Sequence, residues 1–225
     1  KYFKEKTLPS YLALMDASTI FQENKLAGNI KIAASKTISN YIMPNIYYDF
    51  LSKYKDVKLD ILTINSSSII DKILKNELDI GLIEVDTQNS SLIKEKLADD
   101  ELIVVSSDEK HPSIAFIDAI KKRWILREIG SGTREIFMSK IGEISKELDI
   151  FMQLQDFEEI KTIVLNNKNT VTVLSKVIVE KELKQKKLFE IKLKNIEFKR
   201  EFYLVYHKDK TKNLLFETFI EFIKN

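Results

Sequence analysis

Cysteine is missing from this 225-residue sequence, and histidine occurs only twice, at His111 and His207. The lack of cysteine excludes a disulfide framework and cysteine-ligated metal sites, and it fits a reducing compartment. Two histidines far apart in sequence offer little material for a metal site or for a serine–histidine catalytic pair. We therefore predict a protein that is not an enzyme and that holds no metal and no cofactor.

Long apolar runs and a strong net charge are also missing. No stretch approaches the roughly 20 consecutive apolar residues that cross a bilayer, so the sequence predicts no association with membranes. The formal net charge is only +2, which is too small to indicate a nucleic-acid surface. Apolar residues make up 44% and charged residues 31% of the chain, as in a globular protein with a substantial core. The length suits one large domain or two small lobes.

The first half of the chain alternates between strand and helix patterns. The predicted elements are a strand at 29–35, a helix through 38–51, a strand at 58–65, a helix at 68–75 and a strand at 78–84. The helices show apolar residues at spacings of three and four, and Pro44 falls near the first turn of one of them. This β-α-β-α-β order predicts a parallel sheet covered by helices.

The second half has the same character but ends differently. Its predicted strands are at 101–106, 124–128, 170–175 and 200–206. One predicted helix follows the loop after the second of these strands and ends near 141. Another begins at 156, and two more span 177–183 and 212–224. The chain would enter a second lobe near 101–106 and return near 202–207. We predict an α/β fold with a first lobe at 28–103 and 204–225 and a second lobe at 104–203.

Several stretches, in this order, resemble one family. They are A-G-N-I-K-I-A-A-S (27–35), Y-I-M-P-N-I (41–46), E-L-D-I-G-L-I (77–83), L-R-E-I-G-S-G-T-R-E (126–135), D-F-E-E-I-K-T-I-V (156–164) and R-E-F-Y-L-V-Y-H-K (200–208). The order resembles the effector-binding domain of LysR-type transcriptional regulators over roughly residues 26–224. The resemblance implies two lobes with a chain crossover, like a type II periplasmic binding protein, and a small effector between them.

The resemblance also implies features of the whole regulator. Family members form dimers side by side through the first lobe, or tetramers at full length, and act on DNA in the cytoplasm through an N-terminal winged helix-turn-helix. Only 27 residues precede the predicted first lobe, so we expect DNA binding only through a domain missing from this sequence. Residues 1–27 would be the tail of the linker helix. The family's Gly-rich turn is replaced by N-N-K-N (166–169), where asparagine would supply the left-handed backbone.

The loop at 130–134, G-S-G-T-R, permits several interpretations. A nucleophilic Ser131 is disfavoured because the G-x-S-x-G spacing and a nearby histidine are absent. The P-loop pattern G-x-x-x-x-G-K-[S/T] is absent too. Two interpretations stay open. In one, Ser131, Gly132 and Thr133 form an anion seat at the positive end of the next helix; in the other, this is a plain loop with a serine cap.

Two further turns lie at the carboxyl ends of predicted parallel strands, where open α/β sheets bind ligands. Ser35, Lys36 and Thr37 form the first turn, and Lys36 would favour an acidic effector. Asn65 and Ser66 form the next turn. All of these residues have an alternative role as ordinary helix caps. The resemblance favours the first turn as an effector contact.

Charged residues near the predicted cleft are harder to assign. Glu84 ends the third strand, and its carboxylate would repel an anion unless it pairs, with Lys36 or Arg134 as the candidate partners. Alternatively, Glu84 would bind an amino group of the effector. Arg134 would either anchor its loop or contact the ligand.

We interpret the sequence as the ligand-sensing domain of a LysR-type regulator. The R-E-x-G-S-G-T-R stretch resembles the branch of the family that regulates sulfur and carbon assimilation, so the predicted effector is a small oxyanion or an organic acid. The alternative is a periplasmic solute-binding protein of a transport system, which would have a similar fold.

Overall fold

The computed structural model describes residues 26–109, 113–114, 116–193 and 196–224, together with Thr7 and Leu12. The strands are β1 (Ala27–Ala34), β2 (Asp56–Thr63), β3 (Ile80–Ile83), β4 (Leu92–Ser106), β5 (Ser113–Ile114), β6 (Arg123–Arg127), β7 (Ile150–Leu154), β8 (Thr170–Ser175), β9 (Phe189–Glu190), β10 (Lys192–Leu193) and β11 (Phe198–His207). The α-helices are α1 (Met43–Lys53), α2 (Ser66–Leu74), α3 (Phe116–Ile120), α4 (Gly132–Ile141), α5 (Phe157–Asn166), α6 (Lys176–Lys184) and α7 (Leu214–Lys224). A π-helical segment, Ile38–Ile42, precedes α1, and a 3₁₀ segment, Gly142–Glu147, follows α4.

The predicted linker tail at 1–27 lies almost wholly outside the described residues. Its last residue, Ala27, already belongs to β1. The prediction of a linker helix for that segment therefore stays a prediction.

The first lobe is built on the predicted parallel sheet. Strand β1 pairs in parallel with β2 and with β3, placing Ile32 beside Ile61 on one side and Ile80 on the other. The side chains of β1 alternate, so Ile32 contacts the core under α1 and α7 whereas Ala33 contacts the core under α2. Pro44 lies in the first turn of α1, as predicted, where its missing N–H leaves no hydrogen bond unmade.

The second lobe repeats this plan around β6. Strand β6 pairs in parallel with β7 and with β8. A core that includes Trp124 and Phe137 lies on the α4 side of this sheet, and a core that includes Phe157 and Ile178 lies on the side of α5 and α6. Strand β7 was not predicted, because its residues are at the edge of the sheet and largely exposed.

Two long antiparallel strands join the lobes. Strand β4 pairs with β11 from Leu92 opposite His207 to Leu102 opposite Phe198, with a register shift between Phe202 and Tyr203. All strands except β5 and β10 thus belong to one sheet, which runs β2-β1-β3-β11-β4-β8-β6-β7, with β9 paired to β4. The predicted two-lobed α/β fold with a chain crossover is confirmed. The predicted boundaries at 103/104 and 203/204 fall inside β4 and β11, and they stay predictions.

The expectation for the N-N-K-N turn is wrong. None of residues 166–169 has a positive φ; the non-glycine residues with positive φ in the described ranges are Asn76 and Lys186. The turn is closed by the Thr170 N–H, which donates to the Asn167 carbonyl at 3.0 Å. The Asn166 and Asn167 amides also donate to the carbonyls of Thr162 and Ile163, each at 2.8 Å. These side-chain bonds satisfy the end of α5, so a left-handed residue is not needed.

A membrane-spanning helix was not predicted, and within the described ranges no helix combines the length and the apolar character that spanning requires.

Candidate functional site

The loop before α4 packs against the residues that follow β2 and β3, across a closed cleft between the lobes. A Cβ atom added to Gly132 would lie 2.7 Å from the Cβ of Glu84, and one added to Gly130 would lie 3.2 Å from the Asn65 amide nitrogen. Gly130 also has a φ of 85°, a left-handed conformation that favours glycine. The glycines of the G-S-G-T-R stretch therefore allow the second lobe to approach the first within van der Waals contact.

Glu84 occupies the centre of this cleft. Its carboxylate accepts a hydrogen bond from the Ser35 hydroxyl at 2.6 Å on one oxygen and from the Thr133 hydroxyl at 3.3 Å on the other. Its backbone N–H donates to the Ser66 hydroxyl at 3.2 Å. The side chain is 3% exposed. Hydroxyls from both lobes thus converge on a single carboxylate.

Arg200, which the sequence analysis missed, is the ion-pair partner of Glu84. Its Nη1 donates to Glu84 Oε2 at 2.7 Å and lies 3.1 Å from the Thr133 hydroxyl. Its Nε donates to Asp100 Oδ2 at 2.5 Å, and Asp100 Oδ1 accepts from the Ser175 hydroxyl at 2.7 Å. The predicted partners of Glu84, Lys36 and Arg134, were wrong.

A signal for Arg200 was present in the sequence. In the stretch F-K-R-E-F-Y-L, positions 198, 200, 202 and 204 share one face of the strand and are all buried. Three of them are Phe198, Phe202 and Leu204, and the fourth is Arg200. A charged residue at an inward position of an alternating strand must find a buried partner, because an unpaired buried charge is very costly.

The electrostatic environment keeps Glu84 ionised. Burial alone would raise the pKa of the Glu84 carboxyl, but the charge of Arg200 and the Ser35 hydrogen bond more than offset this and hold the pKa below its ordinary value. The Thr37 hydroxyl acts in the same direction, although its geometry falls short of a hydrogen bond to any described residue. Arg200 Nη2 is likewise buried and forms no hydrogen bond within the described part of the chain.

Two predicted site residues point elsewhere. Lys36 Nζ donates to the carbonyl of Gln155 at 2.6 Å and lies 4.0 Å from Asp156, so it links the lobes on the side of α5. Arg134 Nη1 donates to the Arg127 carbonyl at 3.0 Å and to the Gln153 amide oxygen at 2.7 Å. Neither Lys36 nor Arg134 contacts the Glu84 carboxylate.

The remaining predicted residues are at helix starts. Asn65 caps α2 by accepting a hydrogen bond from the Ser68 N–H at 2.9 Å. Helix capping was the predicted alternative to effector binding for this residue. Ser131 is at the N-cap position of α4, but its hydroxyl forms no capping bond. Ser131 is 2% exposed and Thr133 1% exposed. The start of α4 therefore faces the cleft with its hydroxyls enclosed, and its N–H groups are a source of partial positive charge.

A groove of about 710 Å³ adjoins the Glu84–Arg200 pair on the α4 side. Its walls come from both lobes: Glu84 and Asp86 after β3, and Glu135, Ser139 and Lys140 on α4. Tyr203 of β11 also lines it. The volume is that of a small-molecule site. In the described residues no group of three or more histidine, aspartate or glutamate side chains is placed to hold a metal ion.

Comparison with known proteins gives a consistent result. The profile of the family described as LysR substrate binding domain matches residues 23–225. The chain is 28% identical over 205 residues to the HTH-type transcriptional regulator CysL of Bacillus subtilis, covering 88% of this chain and 67% of that protein.

Solved structures agree on the fold. The regulatory domain of CcmR from Synechocystis PCC6803, in complex with 2-PG, superposes with a TM-score of 0.76 at 22% identity over 88% of this chain and 96% of that one. The effector-binding domain of QuiR, in complex with shikimate, gives 0.75 at 20% identity, also covering 88% of this chain and 96% of that chain.

Proposed function

The chain belongs to the family of LysR substrate-binding domains, and from that premise we propose that it is a switch controlled by a small anionic effector. The effector binds between Ser35–Thr37 of the first lobe and Ser131–Thr133 of the second. The family consists of the effector-binding domains of transcriptional regulators, not of enzymes. We set aside the alternative of a solute-binding protein of a transport system on the same grounds.

The observation that carries this proposal is the position of the Glu84 carboxylate. It is held at once by Ser35 from the first lobe and Thr133 from the second. These donors are therefore spaced to bind a carboxylate-sized anion. The start of α4 adds the positive end of a helix, a common seat for anions.

Binding in this position would control the lobes. A ligand shifts a conformational equilibrium only by its difference in affinity for the two states. An anion that bridges Ser35 and Thr133 binds the closed arrangement more tightly than any open one. In the whole regulator, which would act in the cytoplasm, closure would change the arrangement of DNA-binding domains carried by the N-terminal part.

The effector class follows from the adjoining space. The groove of about 710 Å³ begins at Glu84 and Arg200, so the body of an organic acid can extend into it from the anion seat. A bare oxyanion would leave the groove empty. The CcmR and QuiR domains were solved with small molecules, 2-PG and shikimate, which supports an organic effector.

We also propose a homodimer formed side by side through the first lobe, with tetramers at full length. Strand β2 is at one edge of the sheet. Ile61 and Leu62 on this strand are each 42% exposed, and Tyr48 on α1 is 73% exposed. An unpaired strand edge with exposed apolar side chains is a surface that favours association.

The test is a thermal-shift screen with sulfate, phosphate and short carboxylic and phosphorylated acids, since ligand binding to the native state raises the melting temperature. We expect at least one anion to stabilise the protein, and Ser35→Ala or Thr133→Ala to remove the effect. Thr162→Ala is the matched control, because its hydroxyl donates to the Glu158 carbonyl on the surface of α5. An anion response that survives both cleft variants would refute the proposed site.

A further inference from the structure

We propose that Glu84 is the resting counter-ion of Arg200, and that the effector binds by displacing the Glu84 carboxylate from Arg200, Ser35 and Thr133. This inference rests on the proposed function, because it concerns how an anion enters the same cleft. In this inference, Arg200 is the cation that makes the site specific for a negatively charged effector. Asp100 is a positioning residue for Arg200.

The donors proposed to hold the effector are already occupied by the Glu84 carboxylate. One carboxylate oxygen accepts from Ser35, and the other accepts from both Arg200 and Thr133. Gly132 approaches so closely that even a methyl group would clash with the Glu84 side chain. An incoming anion therefore competes with Glu84 for the same donors.

The balance of charge also requires an exchange. Arg200 lies between two carboxylates, those of Glu84 and Asp100, and the side chains of all three are at most 6% exposed. A further anion beside them would put a third negative charge around one guanidinium in a buried site, where like charges repel strongly. Exchanging the Glu84 carboxylate for the effector's anionic group keeps the number of buried charges constant.

Glu84 has a place to go. It lines the groove on the α4 side, and so does Lys140. The other lysines near this groove are already engaged: Lys94 with Asp86, Lys96 with Asp99 and Glu201, and Lys199 with Glu197. Lys140 forms no ion pair within the described residues. Asp86, Asp99, Glu135 and Glu201 line the groove as well, but all of them except Glu135 are neutralised by the lysine pairs just named. A Glu84 side chain rotated into the groove therefore meets one unpaired lysine and one carboxylate without an ion pair in the described residues.

Arg200 stays in place when Glu84 leaves. Its Nε is fixed by Asp100, which is fixed in turn by Ser175. Its Nη2 is buried and lacks a hydrogen-bond partner within the described ranges. Once Glu84 leaves, one N–H of Nη1 and one of Nη2 are available to an oxyanion. A guanidinium that offers two donors to one oxyanion gives both affinity and orientation.

The experiment is calorimetric titration of the folded protein with sodium sulfate at constant ionic strength, adjusted with chloride. Sulfate is used because it keeps its charge throughout the pH range of the test. Glu84→Gln preserves the shape of the side chain and removes its charge. When a competing state is populated most of the time, apparent affinity falls by the fraction that is competent, so we expect Glu84→Gln to bind sulfate about tenfold more tightly or better.

The controls separate charge from folding. Glu180→Gln removes the same charge from an exposed pair with Lys184 and should leave sulfate affinity unchanged. Arg200→Lys keeps a cation but loses the planar donors, and it should abolish the gain in the Glu84→Gln background. Circular dichroism and melting curves verify that each variant is folded. Should Glu84→Gln fail to fold, Glu84→Asp provides the test, because a carboxylate shortened by one methylene group reaches Arg200 less well and should also let sulfate bind more tightly than in wild type.

Each outcome is decisive. Tighter sulfate binding in Glu84→Gln that depends on Arg200 supports displacement. Equal affinity in wild type and Glu84→Gln, with binding still lost in Ser35→Ala and Thr133→Ala, refutes displacement and leaves the proposed function standing. Two outcomes refute the anion site itself and displacement with it. One is that neither protein binds sulfate or organic acids. The other is that binding is unchanged by Ser35→Ala and Thr133→Ala.

Discussion

Arg200 and Asp100 form an ion pair across the two strands that join the lobes. The two residues are register partners in the β4–β11 ladder, and Arg200 Nε donates to Asp100 Oδ2 at 2.5 Å. The Nη1 of the same arginine donates to Glu84, which follows β3. The connection between the lobes and the centre of the proposed effector cleft therefore share one buried cation.

Removal of the Asp100 charge should destabilise the protein strongly. Asp100→Asn leaves a guanidinium that is 1% exposed with one partner fewer, and breaking a buried ion pair typically costs about 3–5 kcal/mol. Urea denaturation of the variant measures the loss. Glu101→Gln is the control, because its pair with Lys176 is about half exposed and should contribute about 1 kcal/mol or less. Equal losses in the two variants would show that Asp100 does not anchor Arg200.

Gly132 should be required for closure of the cleft. A Cβ atom at this position would lie 2.7 Å from the Cβ of Glu84, a contact with a part of the side chain that cannot move away freely. Gly132→Ala should therefore force the lobes apart, increase the radius of gyration in small-angle X-ray scattering and weaken effector binding. Gly142→Ala is the control. Its added methyl group meets open space, so only its backbone conformation, with φ 57° and ψ −134°, should cost about 1–3 kcal/mol, without forcing the lobes apart.

Glu84 should also contribute to the acid sensitivity of the fold. Its pKa is held below the ordinary value in the folded protein, against the effect of burial, by the charge of Arg200 and the Ser35 hydrogen bond. A depressed folded pKa means that the carboxylate stabilises the fold above the unfolded pKa of about 4.3, and that this contribution disappears as the pH falls through the folded value. Wild type should thus lose more stability than Glu84→Gln between neutral pH and strongly acidic pH.

The measurement is the free energy of unfolding of both proteins at a series of pH values. Carboxylates far from Arg200 contribute equally in the two proteins, so the difference reports the charges that surround Arg200. A difference that stays constant from neutral to strongly acidic pH would contradict the assignment of Glu84 as an ionised partner of Arg200.

The first lobe should carry the dimer interface. Leu62→Asp introduces a charge at the exposed edge strand β2 and should raise the dissociation constant of the dimer, as measured by sedimentation velocity, because a buried unpaired charge disrupts an apolar interface. Ile144→Asp in the second lobe is matched, since both side chains are 42% exposed, and it should leave association unchanged. The reverse pattern would move the interface to the second lobe.

Much of the fold was predictable because local periodicity encodes it. Helices and buried strands place apolar residues at spacings of 3.6 and 2, so α1, α2, β1, β3 and β8 were found close to their observed bounds. The first nine residues of β4 (Leu92–Asp100) were missed. That stretch is rich in Lys, Glu and Asp and half exposed, so it lacks the apolar alternation of a strand that covers a core.

The sequence by itself determined most of the helices and buried strands, their parallel pairing within each lobe and the two hydroxyl-bearing turns at 35–37 and 131–133, because those features depend on neighbours along the chain. Only the tertiary structure decided that Glu84 lies between those turns and pairs with Arg200, 116 residues away. It also decided that Lys36 and Arg134 point elsewhere. The physical reason is that the alternation along β11 marks Arg200 as a buried charge but does not name its partner, which is whichever group folding brings within hydrogen-bond distance.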